Sequence, residues 1–200
     1  SWLDVEQGNR NSIGTINLSV LSKNAASTVL REGSENEVPS IDLNIDARQA
    51  DIIFPGGEGV GLVRIQLIPQ LANLTTIFDG RYTPLWRYEV YPTGIRVDGS
   101  IKLSLGVPEY RGSYSYIPQK DKYVVILGRD DSSLKMVPVG VGKLEEGPRV
   151  QSVGGLHYSS LDYIAFTAVS DGMQPMLIQY VNGEIGIDEL RMRLQIAELN

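Results

Sequence analysis

Apolar residues in this chain recur at every second position in short runs, and glycine or proline closes most of them. Residues 14–21 (GTINLSVL) put Ile16, Leu18 and Val20 on one face, and residues 40–47 (SIDLNIDA) set Ile41, Leu43 and Ile45 against Asp42, Asn44 and Asp46. Residues 61–69 repeat the device with Val63, Ile65 and Leu67 against Arg64 and Gln66, and Ile101, Leu103 and Leu105 do so around Lys102 and Ser104. Successive side chains point to opposite faces of a strand, so these runs predict half-buried β-strands. Residues 123–127 (YVVIL) are nearly continuous and β-branched, as in a central strand. Residues 136–140 and 163–169 add two more, and Pro138 places the former at an edge or a bulge. The 21 glycines and 10 prolines lie mostly between the runs, where turns need a positive or preset φ.

The C-terminus departs from this rhythm. Ile187, Leu190, Leu194 and Ala197 recur at helical spacing, and Glu189 stands four positions before Arg193, which predicts one amphipathic helix. Such a helix either packs on its own sheet or docks a neighbour. Residues 22–39 are polar and contain glycine, the composition of a linker or a long surface loop, and a more apolar block opens near Asp51 with Ile52-Ile53-Phe54-Pro55. The chain then divides into residues 1–50, N-terminal strands and a long loop that would make a small sandwich of their own; residues 51–170, a main β-sandwich; and residues 171–200, a strand and the helix. The predicted fold class is all-β, an antiparallel β-sandwich with one C-terminal amphipathic helix. A barrel would give the same local pattern.

Composition changes this picture mainly by exclusion. At 200 residues with 42% hydrophobic and 21% charged side chains, the chain can bury a substantial core. Its net charge of -6 disfavours a nucleic-acid backbone or an anionic membrane as partner. There is no cysteine, so no disulfide, thiolate metal site or cysteine nucleophile is available. With no run of about 18 apolar residues, the chain is expected to be soluble, without membrane insertion. The N-terminus (SWLDVE) lacks the basic and apolar blocks of a signal peptide, so either the chain was never exported or a signal was removed or lies upstream.

The order of signals from Ile52 to Val169 is similar to that of the ZU-type domain of ankyrins, netrin receptors and tight-junction scaffold proteins, and of its relatives repeated in bacterial secreted proteins. Ile53-Phe54-Pro55-Gly56-Gly57 resembles the strand and Pro-Gly turn that open that domain, and residues 63–69 resemble the strand that follows. Residues 79–85 and then Tyr88-Glu89-Val90-Tyr91-Pro92-Thr93-Gly94 resemble its passage into a Pro-x-Gly corner, with residues 95–103 as the strand pair beyond. Gly99-Ser100-Ile101 stands where the family usually has Pro-Val. Residues 123–127 and 134–140 resemble its later strands, and residues 154–158 lead into the last one. The resemblance implies a β-sandwich used as spacer, scaffold or interaction module, without a cofactor.

The one histidine, in His157-Tyr158-Ser159, supplies the sharpest chemistry. It resembles the His-Phe-Ser tripeptide at which some ZU-type domains cut themselves. Ser159 would attack the Tyr158 carbonyl with His157 as base, and a strained turn would lower the barrier. The competing reading is a turn without chemistry. A single histidine leaves no second one to share a metal, and there is no Gly-x-Ser-x-Gly elbow, so no catalytic, cofactor or metal site is assigned. Asp130-Asp131-Ser132-Ser133 and Asp98-Gly99-Ser100 offer oxygens without the spacing of a dedicated calcium loop, and Gly56-Gly57-Glu58-Gly59 reads as a turn. Tyr110, Tyr114 and Tyr116 form an aromatic, polar cluster typical of recognition surfaces, with core or strand-edge tyrosines as the alternative. Asn17-Leu18-Ser19 and Asn73-Leu74-Thr75 are glycosylation sequons.

The expected function is therefore that of a non-enzymatic structural or binding module of a larger surface or secreted protein, for spacing, assembly or adhesion. Its expected partners are proteins, other copies of itself or neighbouring domains, at an extracellular or cell-surface location. Two alternatives stand beside it: a virion or tail structural protein assembling through strand edges and the C-terminal helix, and a self-cleaving domain cut between Tyr158 and Ser159.

Overall fold

A computed structural model of the chain describes residues 25–68, 82–107, 121–130 and 135–199. Among these residues ten strands follow one another: β1 (Ala25–Arg31), β2 (Glu35–Val38), β3 (Leu43–Ile53), β4 (Val60–Ile68), β5 (Tyr82–Tyr91), β6 (Arg96–Gly106), β7 (Tyr123–Arg129), β8 (Met136–Glu145), β9 (Arg149–Ser152) and β10 (Ser160–Val169). Helices α1 (Gln174–Val181) and α2 (Ile187–Leu199) end the chain. The strands pair antiparallel in the order β1-β4-β5-β10-β7-β8-β9-β6-β3-β2. A further pairing of Ser160 in β10 with Arg96 in β6 closes β10, β7, β8, β9 and β6 into a five-stranded ring.

The all-β class holds, but two separate sheets do not form. One sheet curls and closes on itself, and closure satisfies backbone groups that an open edge would leave unpaired. Alternation along each strand reports which side chains face inward and says nothing about which strands become neighbours.

Two cores result. Ile45, Ile65, Leu105, Ile126 and Phe166, from five strands, meet inside the curled sheet. Val125, Leu127, Val141 and Ala165 face the other way, and Leu177, Leu190 and Leu194 of the helices cover them. Burial of each such leucine is worth about 1.5–3 kcal/mol. The continuous run in β7 follows from this arrangement, since Val124 and Ile126 enter one core while Val125 and Leu127 enter the other. Pro138 lies at a bulge, where the register with β7 shifts between Ile126 and Leu127, and β8 is an interior strand. Proline is tolerated there because the ladder is already interrupted.

Several expectations need correction. Residues 22–39 contain β1 and β2 rather than only a loop, and their polarity reflects strands with one solvent face: Leu30 is fully buried while Ser27 and Val29 are exposed. The boundary near Asp51 falls inside β3, which runs unbroken from Leu43 to Ile53 in the same sheet as the later strands. Residues 171–199 form no strand; a 3-10 turn (Asp171–Met173) leads into two helices. α2 is the predicted helix, with Leu190 and Leu194 wholly buried and a 2.7 Å Glu189–Arg193 ion pair. It packs on its own sheet, where Arg191 Nε donates to the Pro138 carbonyl at 2.7 Å. α1 escaped prediction because it is only eight residues long and its one fully buried position is Leu177. Its proline, Pro175, lies in the first turn, where the missing N–H costs little.

The turn after β3 forms as expected, with Gly57 at φ 90° and the Phe54 amide bonded to the Glu58 carbonyl at 3.0 Å. Residues 91–94 likewise turn the chain from β5 into β6, with Gly94 at φ 82°.

Candidate functional site

The outer face of β1, β4 and β5 is built by strict alternation. In β4, Val63, Ile65 and Leu67 point into the core, so Val60, Leu62, Arg64 and Gln66 point outward. The register sets Val29 of β1 beside Leu62, Arg31 beside Val60, and Tyr91 of β5 beside Arg64. Leu62 is 67% exposed, Val29 and Tyr91 43% and Val60 41%. Single exposed apolar side chains are ordinary, but these four lie on adjoining strands of one face and form an apolar strip that is exposed among the described residues. Of the large hydrophobics exposed among the described residues, only Ile178 and Met192 lie elsewhere.

Toward β10 the same face becomes polar and locked. Arg87 Nη2 bonds Glu89 Oε1 at 3.1 Å, and the Tyr91 hydroxyl donates to Glu89 Oε2 at 2.5 Å, which holds the phenol above the usual tyrosine range. The guanidinium carbons of Arg87 and Arg129 lie 5.3 and 5.9 Å from the centre of the Tyr163 ring. Arg129 Nη1 pairs with Asp162 Oδ2 at 3.1 Å, and Asp162 Oδ1 accepts the Gly94 amide at 2.7 Å. Two guanidiniums thus meet two carboxylates, so the cluster is charge-balanced and ties β5, β7 and β10 together. No local motif announces it, because its members are scattered between Arg87 and Tyr163.

The tripeptide at 157–159 lies between the bridge of Leu156 to Ile101 and the start of β10. His157 donates its amide to the Val139 carbonyl at 2.8 Å, and the Ser159 carbonyl accepts from the Val97 amide at 3.1 Å. Tyr158 is 3% exposed, and its hydroxyl reaches the Leu127 carbonyl at 3.4 Å. Burial pushes this phenol up. The ring fits because residue 128 is glycine: a Cβ there would stand 2.7 Å from Tyr158 Cε1. His157 and Ser159 point to solvent on either side, and no hydrogen bond joins their side chains. Among the described residues the non-glycine positions with positive φ are Asp42 and Asp121, so left-handed strain is not located at 157–159.

Tyr110, Tyr114 and Tyr116, both sequons and Asp131-Ser132-Ser133 lie outside the described residues. Asp98-Gly99-Ser100 sits within β6 at the bulge opposite Gln49, where Gly99 (φ 103°) lets the Gln49 carbonyl approach. Two open clefts of about 320 and 520 Å³ flank this bulge and share Arg48 and Gln49, and their walls are polar. No group of three or more histidine, aspartate or glutamate side chains among the described residues could hold a metal ion.

Fold and surface together define an all-β module with helices over part of its sheet and an apolar strip on another part. No model of a known protein family matches the chain, and no curated protein matches it in sequence. Among the described residues, no helix is long and apolar enough to cross a membrane.

Proposed function

We propose that this chain is a non-enzymatic structural and binding module of a larger surface or secreted protein, and that it meets a protein partner through the outer face of β1 and β4. The observation that carries this reading is the strip Val29, Val60, Leu62 and Tyr91, which stays exposed among the described residues. Buried interface centres are apolar with few charges, and this strip has that character with Arg31, Arg64 and Gln66 around it. Kinship with ZU-type spacer domains belongs to the same proposal, supported by turns after Phe54 and after Tyr91 where their pattern expects them. The first core, shared by strands from both ends of the sheet order, supports a sandwich-like description of the curled sheet.

Val29→Lys combined with Leu62→Lys tests the surface. Self-association, or capture of flanking domains of the parent protein, should fall at least about tenfold with an unchanged melting temperature. Association that persists undiminished in the double variant would remove the proposal.

A further inference from the structure

The two ends of the strand order, β1 and β2, follow one another in the chain and lie side by side. Among the described residues no backbone ladder joins them, and a side chain makes the joint instead. Asn36 of β2 is only 5% exposed. The Arg31 amide donates to Asn36 Oδ1 at 2.9 Å, and Asn36 Nδ2 donates to the Arg31 carbonyl at 3.0 Å. One carboxamide thus gives residue 31 the pair of bonds that an opposed residue gives in an antiparallel ladder. Nδ2 also reaches the carbonyls of Ser34 and, on β3, Ile45, each at 3.2 Å, so its two protons are shared among three acceptors.

Arg31 therefore directs its backbone groups away from β4. The next residue turns back, and the Glu32 amide donates to the Gly59 carbonyl at 2.9 Å. Backbone groups alternate sides along an antiparallel strand, so Thr28 and Leu30 are in the ladder with β4. β1 is held by that ladder on one side and, at its last residue, by Asn36 on the other.

We infer that Asn36 is a clasp that closes the sheet a second time, into a ring of β1, β4, β5, β10, β6, β3 and β2, and that it fixes β1 through Arg31. The core agrees with a second ring, because Leu30 of β1, Val38 of β2 and Ile45 of β3 are buried together in it. The chemistry of the joint calls for a carboxamide. An amide needs an acceptor and three carbonyls need a donor at one buried point, whereas a carboxylate there only accepts and an apolar side chain does neither. Bonds left unmade inside the protein are costly, so the clasp is sensitive to a change of one atom. Its consequence for binding rests on the proposed contact function. Val29 stands two residues before Arg31 and beside Leu62, so Asn36 is the positioning residue for the share of the apolar strip that β1 contributes.

Native-state amide hydrogen exchange on the full chain tests the clasp. In the wild type the Arg31 amide should be protected to the same degree as Leu30, and rapid exchange at Arg31 would overturn the inference whether or not any variant folds. Asn36→Ala should speed exchange at Thr28, Leu30 and Arg31 at least about tenfold and leave Val124 and Ile126 of β7 unchanged. Asn36→Asp keeps the shape of the side chain and an acceptor for Arg31 but loses every donated bond, so it should free Thr28 and Leu30 to the same extent. An Asn36→Asp chain that exchanges like the wild type would overturn the inference. A rise spread evenly over β1 and β7 would do the same, since it marks a general loss of stability. The contact function fails separately: self-association undiminished in Leu62→Lys would remove it and leave the exchange pattern of the clasp standing.

Discussion

The outer faces of β7 and β4 belong to one sheet and have opposite fates. On β7, Val125 and Leu127 are covered by the chain's own helices, and the strand reads as a continuous apolar run. On β4, outward positions alternate with core positions, and Val60 and Leu62 stay exposed. The contrast separates apolar surface that stabilises the fold from apolar surface that stays exposed among the described residues. Where the chain supplies a cover, loss of a side chain should cost stability. Where it does not, the cost should appear only in association.

The largest effect should come from the covered face. Leu190→Ala removes a fully buried side chain that holds α2 on the sheet and should lower unfolding stability by about 3 kcal/mol, read from urea denaturation. A negligible loss would mean that the helix is not integral to the fold. Asp162→Ala comes next: it strands the Gly94 amide and the Arg129 guanidinium, and should cost about 2 kcal/mol in the same assay. Leu62→Lys should change stability by no more than about 0.5 kcal/mol while weakening association, and a large destabilisation would erase the distinction between the two faces.

Smaller effects lie off both faces. Purified chain should run as one band without fragments split after Tyr158, and His157→Ala should leave that band and the melting temperature unchanged; two fragments in the wild type would restore the self-cleaving alternative. On the outer face of β3, the hydrogen bond from Arg48 holds the Asp46 carboxyl below its usual value. A lowered carboxylate pKa adds stability above the ordinary value that is lost as pH falls through the lowered one. The melting temperature should therefore drop slightly more below about pH 4 in the wild type than in Arg48→Gln. Identical pH profiles would remove the role assigned to this pair.

Much of the strand content was legible because period-two burial leaves a direct trace: Val63, Ile65, Leu67, Ile101, Leu103 and Leu105 are all buried as their alternation requires. α2 was legible for a similar reason, since Leu190 and Leu194 share one helical face. β1 was not, because Ala26, Ser27 and Thr28 are too small or too polar to mark a face. The exposed apolar strip was hidden as well. An outward Leu62 among inward Val63, Ile65 and Leu67 reads as one more apolar residue until the register places Val29 beside it. The Arg87–Glu89–Tyr163–Arg129–Asp162 cluster has no local signature, because it depends on three strands being adjacent.

By itself the sequence determined that the chain is β-rich, which side chains face inward in its clearest strands, that β7 is central, and that a helix ends it. Those properties depend on the repeat distance of one element. Only the tertiary structure decided that a single sheet closes on itself through Ser160 and Arg96, that β3 crosses the apparent boundary at Asp51, and that helices cover β7 while, among the described residues, Val60 and Leu62 of β4 stay exposed. Those outcomes depend on which strands become neighbours, and backbone hydrogen bonds between strands are the same whatever side chains they carry.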